Sequence, residues 1–147
     1  LGIDGASQEI RKGRNDHMRT LIVEDDFTSR ILLQAFLSQY GECHIAVSGI
    51  EAVAAFRAAQ QSGNHYDLIC MDIMMPEMDG KTAVKEIRAI EEAGGTLSSD
   101  GVKIIMTTAL DDVKNVMQSF KELCDAYVFK PIDTRKLRGY IEELHLV

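Results

Sequence analysis

No apolar stretch in this 147-residue chain approaches the length of a membrane span, and no secretory signal is recognisable at its start. Cysteine is scarce: Cys43, Cys70 and Cys124 are odd in number and far apart, which argues against a disulfide framework or a zinc cluster. A reducing, cytoplasmic setting is therefore expected, with Cys70, inside an apolar run, as a small core residue. His17, His44, His65 and His145 share no metal-ligand spacing. Net positive charge is absent too. At a formal charge of −7, phosphate-backbone recognition has little to work with. The one basic cluster, Arg11-Lys12-Gly13-Arg14, is diluted by Glu9 and Asp16. Neither a G-x-G-x-x-G turn nor a Walker loop is present, which counts against nucleotide binding, and there is no internal repeat.

What remains is an ordinary globular composition, 46% hydrophobic and 27% charged, at a length that suits one domain. Residues 1–18 are polar and lack sustained periodicity, so a leader or tag-like segment outside the fold is expected there. From residue 19 to 147 short apolar runs alternate with helical periods. Strands are expected at Thr20–Val23, Cys43–Val47, Asp67–Met71, Val102–Thr107 and Ala126–Phe129. Helices are expected at Phe27–Gln39, from a Ser48 cap to about Gln61, at Lys81–Ala93, Asp111–Leu123 and Thr134–Leu146. In the first helix Ile31, Leu32, Ala35 and Phe36 are expected to share one face. In the fourth, Val113, Val116, Met117 and Phe120 read as the buried side. Five strands alternating with five helices imply an α/β fold, a doubly wound parallel sheet covered on both faces.

In such sheets functional groups gather past the carboxyl ends of the strands. There the sequence offers Glu24-Asp25-Asp26, Asp72, Thr107-Thr108 and Lys130. Crowded carboxylates raise one another's proton affinity, and a hard divalent cation relieves the repulsion. A nucleophilic carboxylate, a metal, an ammonium and a hydroxyl together suit a transferring phosphoryl group.

The segments Leu21–Asp26, Tyr66–Gly80, Ile104–Ala109 and Ala126–Pro131 resemble, in order and spacing, the signatures of response regulator receiver domains of two-component signalling. The resemblance spans roughly residues 19–146 and implies a flavodoxin-like sheet of strand order 2-1-3-4-5. It implies Asp72 as phosphoacceptor, with Mg2+ held by Asp25, Asp72 and the Met74 backbone carbonyl, and by Glu24 through water. Lys130 would pair with a phosphoryl oxygen, Thr108 would bond another, and Tyr127 would change rotamer with Thr108. A cis Lys130-Pro131 peptide is implied as well. The partners implied are a sensor histidine kinase or histidine phosphotransfer protein and a downstream protein on the face of the fourth helix, fifth strand and fifth helix. Direct contact with nucleic acid or membrane is not. The domain would be a switch that catalyses only its own phosphorylation and dephosphorylation. No output domain is read within these residues. The loop Gly94–Gly101 is longer than is usual in the family, on the side of the sheet away from the site.

Each residue alone has a plainer reading. An aspartate at a strand end is most often a helix cap, a lysine before proline a surface residue, and a tyrosine such as Tyr127 half-buried packing. Thr107 reads as a strand residue turned into the protein. Two functional rivals remain: an unphosphorylated docking module, and an aspartyl-phosphate hydrolase. The latter needs a second aspartate where this chain has Met74. The resemblance further implies that the positions of Met74 and Leu110, two residues beyond Asp72 and Thr108, flank the path of a hydrolytic water; both are apolar here, so slow self-dephosphorylation is expected, suited to a phosphorelay intermediate or a durable signal.

Overall fold

A computed structural model describes residues 17–75, 77–109 and 123–147. Five strands, β1 (Thr20–Val23), β2 (Cys43–Ala46), β3 (Leu68–Asp72), β4 (Lys103–Ala109) and β5 (Ala126–Lys130), pair in parallel in the order β2-β1-β3-β4-β5. The described helices are α1 (Phe27–Leu37), α2 (Gly49–Ser62), α3 (Gly80–Ala93) and α4 (Thr134–Glu143). The helix expected at Asp111–Leu123, with its apolar positions, lies almost wholly outside the described residues.

The near-continuous apolar runs follow from burial on both sides of the sheet. Leu21, Val23, Ile69, Met71, Ile104 and Met106 face one core, closed by Ala52, Val53 and Phe56 of α2 and Val84 and Ile87 of α3. Ile22, Leu68, Cys70, Ile105 and Val128 face the other, closed by Leu33 and Leu37 of α1 and Leu137 and Ile141 of α4. Neighbouring positions thus alternate between two cores, as a period of two requires. Full burial pushes the Cys70 thiol up to about 12, so it behaves as an inert core group.

The face expected for the first helix is corrected. Leu33 and Leu37 are buried, whereas Ile31, Leu32 and Ala35 are exposed and Phe36 is only half-buried. With six apolar residues among positions 31–37, helical spacing supports more than one stripe, and contact with β1 and α4 decides which is used. Met18, placed in the leader by sequence, is 1% exposed in the second core, and its N–H donates to Tyr40 O at 3.1 Å.

Element ends have local causes. Ser48 caps α2, its hydroxyl accepting from Glu51 N–H at 3.2 Å. The Glu51 carboxylate reaches back one residue further than a standard capping box, to Val47 N–H at 3.3 Å. The last helix stops short of the expected Leu146. There His145 N–H donates to Glu142 O (3.0 Å), Leu146 N–H donates to Ile141 O (3.0 Å), and His145 sits at φ 58°, the pattern of a Schellman end. At the foot of the sheet, the buried Glu91 accepts from Val102 N–H at 2.7 Å and from Arg88 at 2.7 Å. Arg88 also donates to the carbonyls of Leu123 (2.9 Å) and Val102 (2.8 Å), tying the long loop after α3 to the strands that follow.

The connection from β3 to α3 carries Glu77 at φ 69°, a left-handed conformation that disfavours a side chain with a Cβ. Glu77→Gly is expected to raise stability by up to about 1 kcal/mol, read as a higher chemical-denaturation midpoint at unchanged m. A lower midpoint would contradict it.

Candidate functional site

Three successive acids leave β1, and the backbone sends each to a different place. Glu24 N–H donates to Ala46 O at 3.0 Å, prolonging the β1–β2 ladder, and its carboxylate is fully buried. Asp25 is exposed at the rim. Asp26 caps α1: its Oδ2 accepts from Ser29 N–H at 2.9 Å, and that hydrogen bond holds its pKa below the usual carboxylate value. The acid that ends β3, Asp72, is 4% exposed and sits in register with Thr107 of β4. The chain order of the sheet reverses between β1 and β3, so the acids meet at the switch point where open α/β sheets place their sites.

Lys130, at the end of β5, reaches across and joins them. Its Nζ donates to Glu24 Oε1 at 3.0 Å and to Asp72 Oδ2 at 3.2 Å. Asp26 N–H donates to the same Glu24 oxygen at 3.2 Å, and Thr107 Oγ1 lies 3.5 Å from the other. Met74 N–H donates to Asp72 Oδ1 at 3.2 Å. One carboxylate oxygen each from Glu24, Asp25 and Asp72 lie within 4.8 Å of one another. Burial pushes Asp72 up to about 7, with the hydrogen bond and negative charge of Glu24 adding to the rise and Lys130 opposing it. For Lys130 burial works against the charged form, but the carboxylates of Glu24 and Asp72 outweigh it and raise its pKa above the ordinary lysine value.

The remaining residues singled out by sequence lie nearby without joining the acids. Thr108 is buried, and its hydroxyl donates to Ala109 O at 3.2 Å. Tyr127 packs half-buried beside Cys124 against the core of α2 and α3. Its hydroxyl has no hydrogen-bond partner among the described residues, and burial raises its pKa. Thr108 and Tyr127 stand on adjoining strands, two register positions apart, since Tyr127 pairs with Met106 and Thr108 with Phe129. The Met74 side chain is exposed. The Lys130-Pro131 peptide is cis, the isomer the resemblance implies. Leu110 lies outside the described residues.

Two contributors had no role assigned from sequence. Thr107 reads as core in an apolar strand, yet its hydroxyl faces Glu24, because β4 pairs it in register with the acid that ends β3. Gly80 allows a close approach, because a Cβ there would lie 2.2 Å from the Asp72 carbonyl oxygen. The Asp79-Gly80 pair in the sequence was the signal for it.

The donors of the cluster are hard carboxylate oxygens, at separations a small divalent cation can span, and they suit Mg2+ rather than a softer metal. A five-stranded parallel sheet of this order, with two buried acids at its switch point and a lysine reaching them from β5, is the arrangement expected of the receiver class. The sequence model of the response regulator receiver domain matches residues 20–142, and the chain belongs to that family. It is a receiver domain of two-component signalling, a class of switches and not of classical enzymes; receiver domains typically bind Mg2+ at an acidic pocket.

Among curated relatives, the chain is 32% identical over 137 residues to the probable transcriptional regulator ycf27 of Cyanidium caldarium, covering 92% of this chain and 49% of that protein. It is 35% identical over 130 residues to the regulatory protein AtoC of Escherichia coli, covering 88% of this chain and 24% of that protein. The chain thus spans half or less of the length of these relatives. Among solved structures, it resembles the receiver domain of the Saccharomyces cerevisiae response regulator Ssk1, crystallised with the histidine phosphotransfer protein Ypd1, at TM-score 0.72 and 28% identity, covering 86% and 88% of the two chains. It also resembles the receiver domain of the Arabidopsis thaliana histidine kinase CKI1, complexed with Mg2+ and BeF3-, at TM-score 0.70 and 27% identity, covering 90% and 95%. No described helix is long and apolar enough to cross a membrane.

Proposed function

We propose that residues 19–147 act as a phosphorylation switch in which Asp72 accepts a phosphoryl group from a phosphohistidine. The donor is a sensor histidine kinase or a histidine phosphotransfer protein, in keeping with the partner crystallised with the Ssk1 domain. A carboxylate oxygen of Asp72 forms the new O–P bond while the N–P bond breaks, and its electron pair returns to the donor imidazole. Asp25, Asp72 and the Met74 carbonyl would hold Mg2+ directly and Glu24 through water; the bound ion supplies positive charge against the phosphoryl oxygens. Lys130 holds a second positive charge beside the acceptor, and its bridge from Glu24 to Asp72 is the observation that carries this reading.

Phosphorylation then biases a switch. Thr108 exchanges its bond to the Ala109 carbonyl for one to the phosphoryl group, and Tyr127, whose hydroxyl has no described partner, follows by changing rotamer. The readout is a downstream protein on the surface of the fourth expected helix (111–123), β5 and α4. The setting is cytoplasmic, without direct contact to nucleic acid or membrane. Catalysis is confined to the domain's own phosphorylation and dephosphorylation.

Beryllofluoride titration tests the reading, with and without Mg2+, in the wild type and in Asp72→Asn. Binding should require both the metal and the carboxylate. Metal-independent binding, or equal binding by Asp72→Asn, would overturn the assignment; no binding by either protein would favour an unphosphorylated docking module.

The exposed thioether side chain of Met74 offers no hydrogen bond to an attacking water, so the acyl phosphate should persist well beyond seconds. Met74→Asn supplies an amide that can hold the water, and should shorten the lifetime about fivefold or more in a phosphate-release assay. Wild-type turnover within seconds would contradict this.

A further inference from the structure

Beyond the acids and the lysine, the loop after Asp72 is held at two points where glycine is required. Gly80 N–H donates to Ile73 O at 2.9 Å, and a Cβ at position 80 would lie 2.2 Å from Asp72 O; this brings the start of α3 back onto the acceptor strand. The second point is on another element. Gly49 opens α2, and its N–H donates to Met78 O at 3.2 Å. A Cβ at position 49 would stand 2.4 Å from that oxygen and 2.9 Å from both Cβ and Cγ of Met78. A real Cβ keeps at least about 3.0 Å, so any side chain there must drive the two segments apart by about 0.6 Å. The helix is poorly placed to give way. Ser48 and Glu51 cap it, and Ala52, Val53 and Phe56 anchor its first turns in the core. The loop would move instead, and it carries Met74, whose N–H holds Asp72 Oδ1 at 3.2 Å.

We propose that Gly49 is a positioning residue for the phosphoryl pocket: its bare Cα lets the N-terminus of α2 grip the Met78 carbonyl and thereby fixes Met74 against Asp72. The inference rests on Asp72 being the phosphoacceptor. Gly49 touches neither the acids nor the lysine in any described contact; it acts through the loop. The same contact couples the β2–α2 turn to the state of the acid pocket, because a ligand that moves Met74 must pull on Met78 and so on Gly49.

The test is Gly49→Ala in the full chain, with Mg2+ affinity read by calorimetric titration and the Met74 amide read by NMR. Affinity should fall about tenfold, the scale of losing a group that orients a metal ligand, and the Met74 resonance should move. Leu137→Ala, in the core on the opposite face, should lower the melting temperature at least as much with Mg2+ affinity unchanged. In the wild type, which carries no folding risk, Mg2+ should shift the Gly49 amide, and Asp72→Asn should abolish the shift. Mg2+ affinity within twofold of wild type in Gly49→Ala, or a Gly49 amide unmoved while Met74 responds to Mg2+, would overturn the proposal. If wild-type Mg2+ binding does not depend on Asp72, the phosphoacceptor reading fails. The Met74 amide in metal-free Gly49→Ala then still decides the positioning claim: movement supports it and no movement overturns it.

Discussion

Lys130→Ala should cost the domain about a hundredfold or more in the rate of phosphoryl acceptance and, without metal, about 3 kcal/mol in stability. The two losses have one source. Nζ of Lys130 is the one cation within hydrogen-bonding distance of both Glu24 and Asp72 among the described residues, at 3.0 and 3.2 Å. Glu24 is fully buried, and without Lys130 its remaining hydrogen-bond donors among the described residues are Asp26 N–H and the distant hydroxyl of Thr107. A buried carboxylate deprived of its cation is among the expensive single changes a fold can suffer, because the solvation it gave up is no longer offset. The stability loss should shrink when Mg2+ is added, since the ion restores positive charge between the acids. A metal-independent loss would mean that Lys130 acts by packing; no loss would mean that the bridge does not form in solution.

Asp72→Asn should abolish phosphorylation and yet make the metal-free protein more stable above neutral pH. The acceptor's pKa rises from 3.8 to about 7 on folding, first through burial and then through Glu24. Between those values the folded protein holds a proton that the unfolded chain has released. The Asp72 contribution to stability therefore falls as pH climbs from about 4 to 7, and levels off above. Asparagine carries no such penalty. Its advantage over wild type should be larger at pH 8 than at pH 5 by roughly 1–2 kcal/mol, after allowance for solvent screening at the mouth of the pocket. With Mg2+ at pH 8 the order should narrow or invert, because the ion rewards the ionised carboxylate. Denaturation midpoints at the two pH values, with and without Mg2+, measure this. A variant less stable than wild type at pH 8 without metal would show that Asp72 is not under strain.

The sheet was legible because strands buried on both faces leave near-continuous apolar runs, and residues such as Ile22 and Cys70 had nowhere else to go. The acids and Lys130 were legible as strand ends, and the parallel order brings them together. What sequence could not settle depended on neighbours. In α1 the stripe of Ile31, Leu32 and Ala35 competed with that of Leu33 and Leu37, and only packing on β1 and α4 chose the second. Met18 read as leader because one apolar residue makes no period, yet the second core takes it in. Glu24 read as a support for the metal through water. In the structure it is the most buried of the acids and the closer partner of Lys130, at 3.0 Å, since the ladder bond from its N–H to Ala46 turns its side chain inward. Thr107 and Gly49 owe their places to register and close approach, which no single-chain pattern encodes.

Under the proposed function, Glu24, Asp25, Asp72 and Lys130 form one pocket in which Asp72 alone takes up phosphate. Incubation with a phosphorylated histidine phosphotransfer protein and Mg2+, followed by peptide mass spectrometry, addresses it directly. The expected product is one hydroxylamine-sensitive, base-labile phosphoryl group on the peptide carrying Asp72, dependent on Mg2+ and lost in Asp72→Asn. A phosphoryl group on Asp25, Asp26 or any histidine, or undiminished labelling of Asp72→Asn, would contradict it.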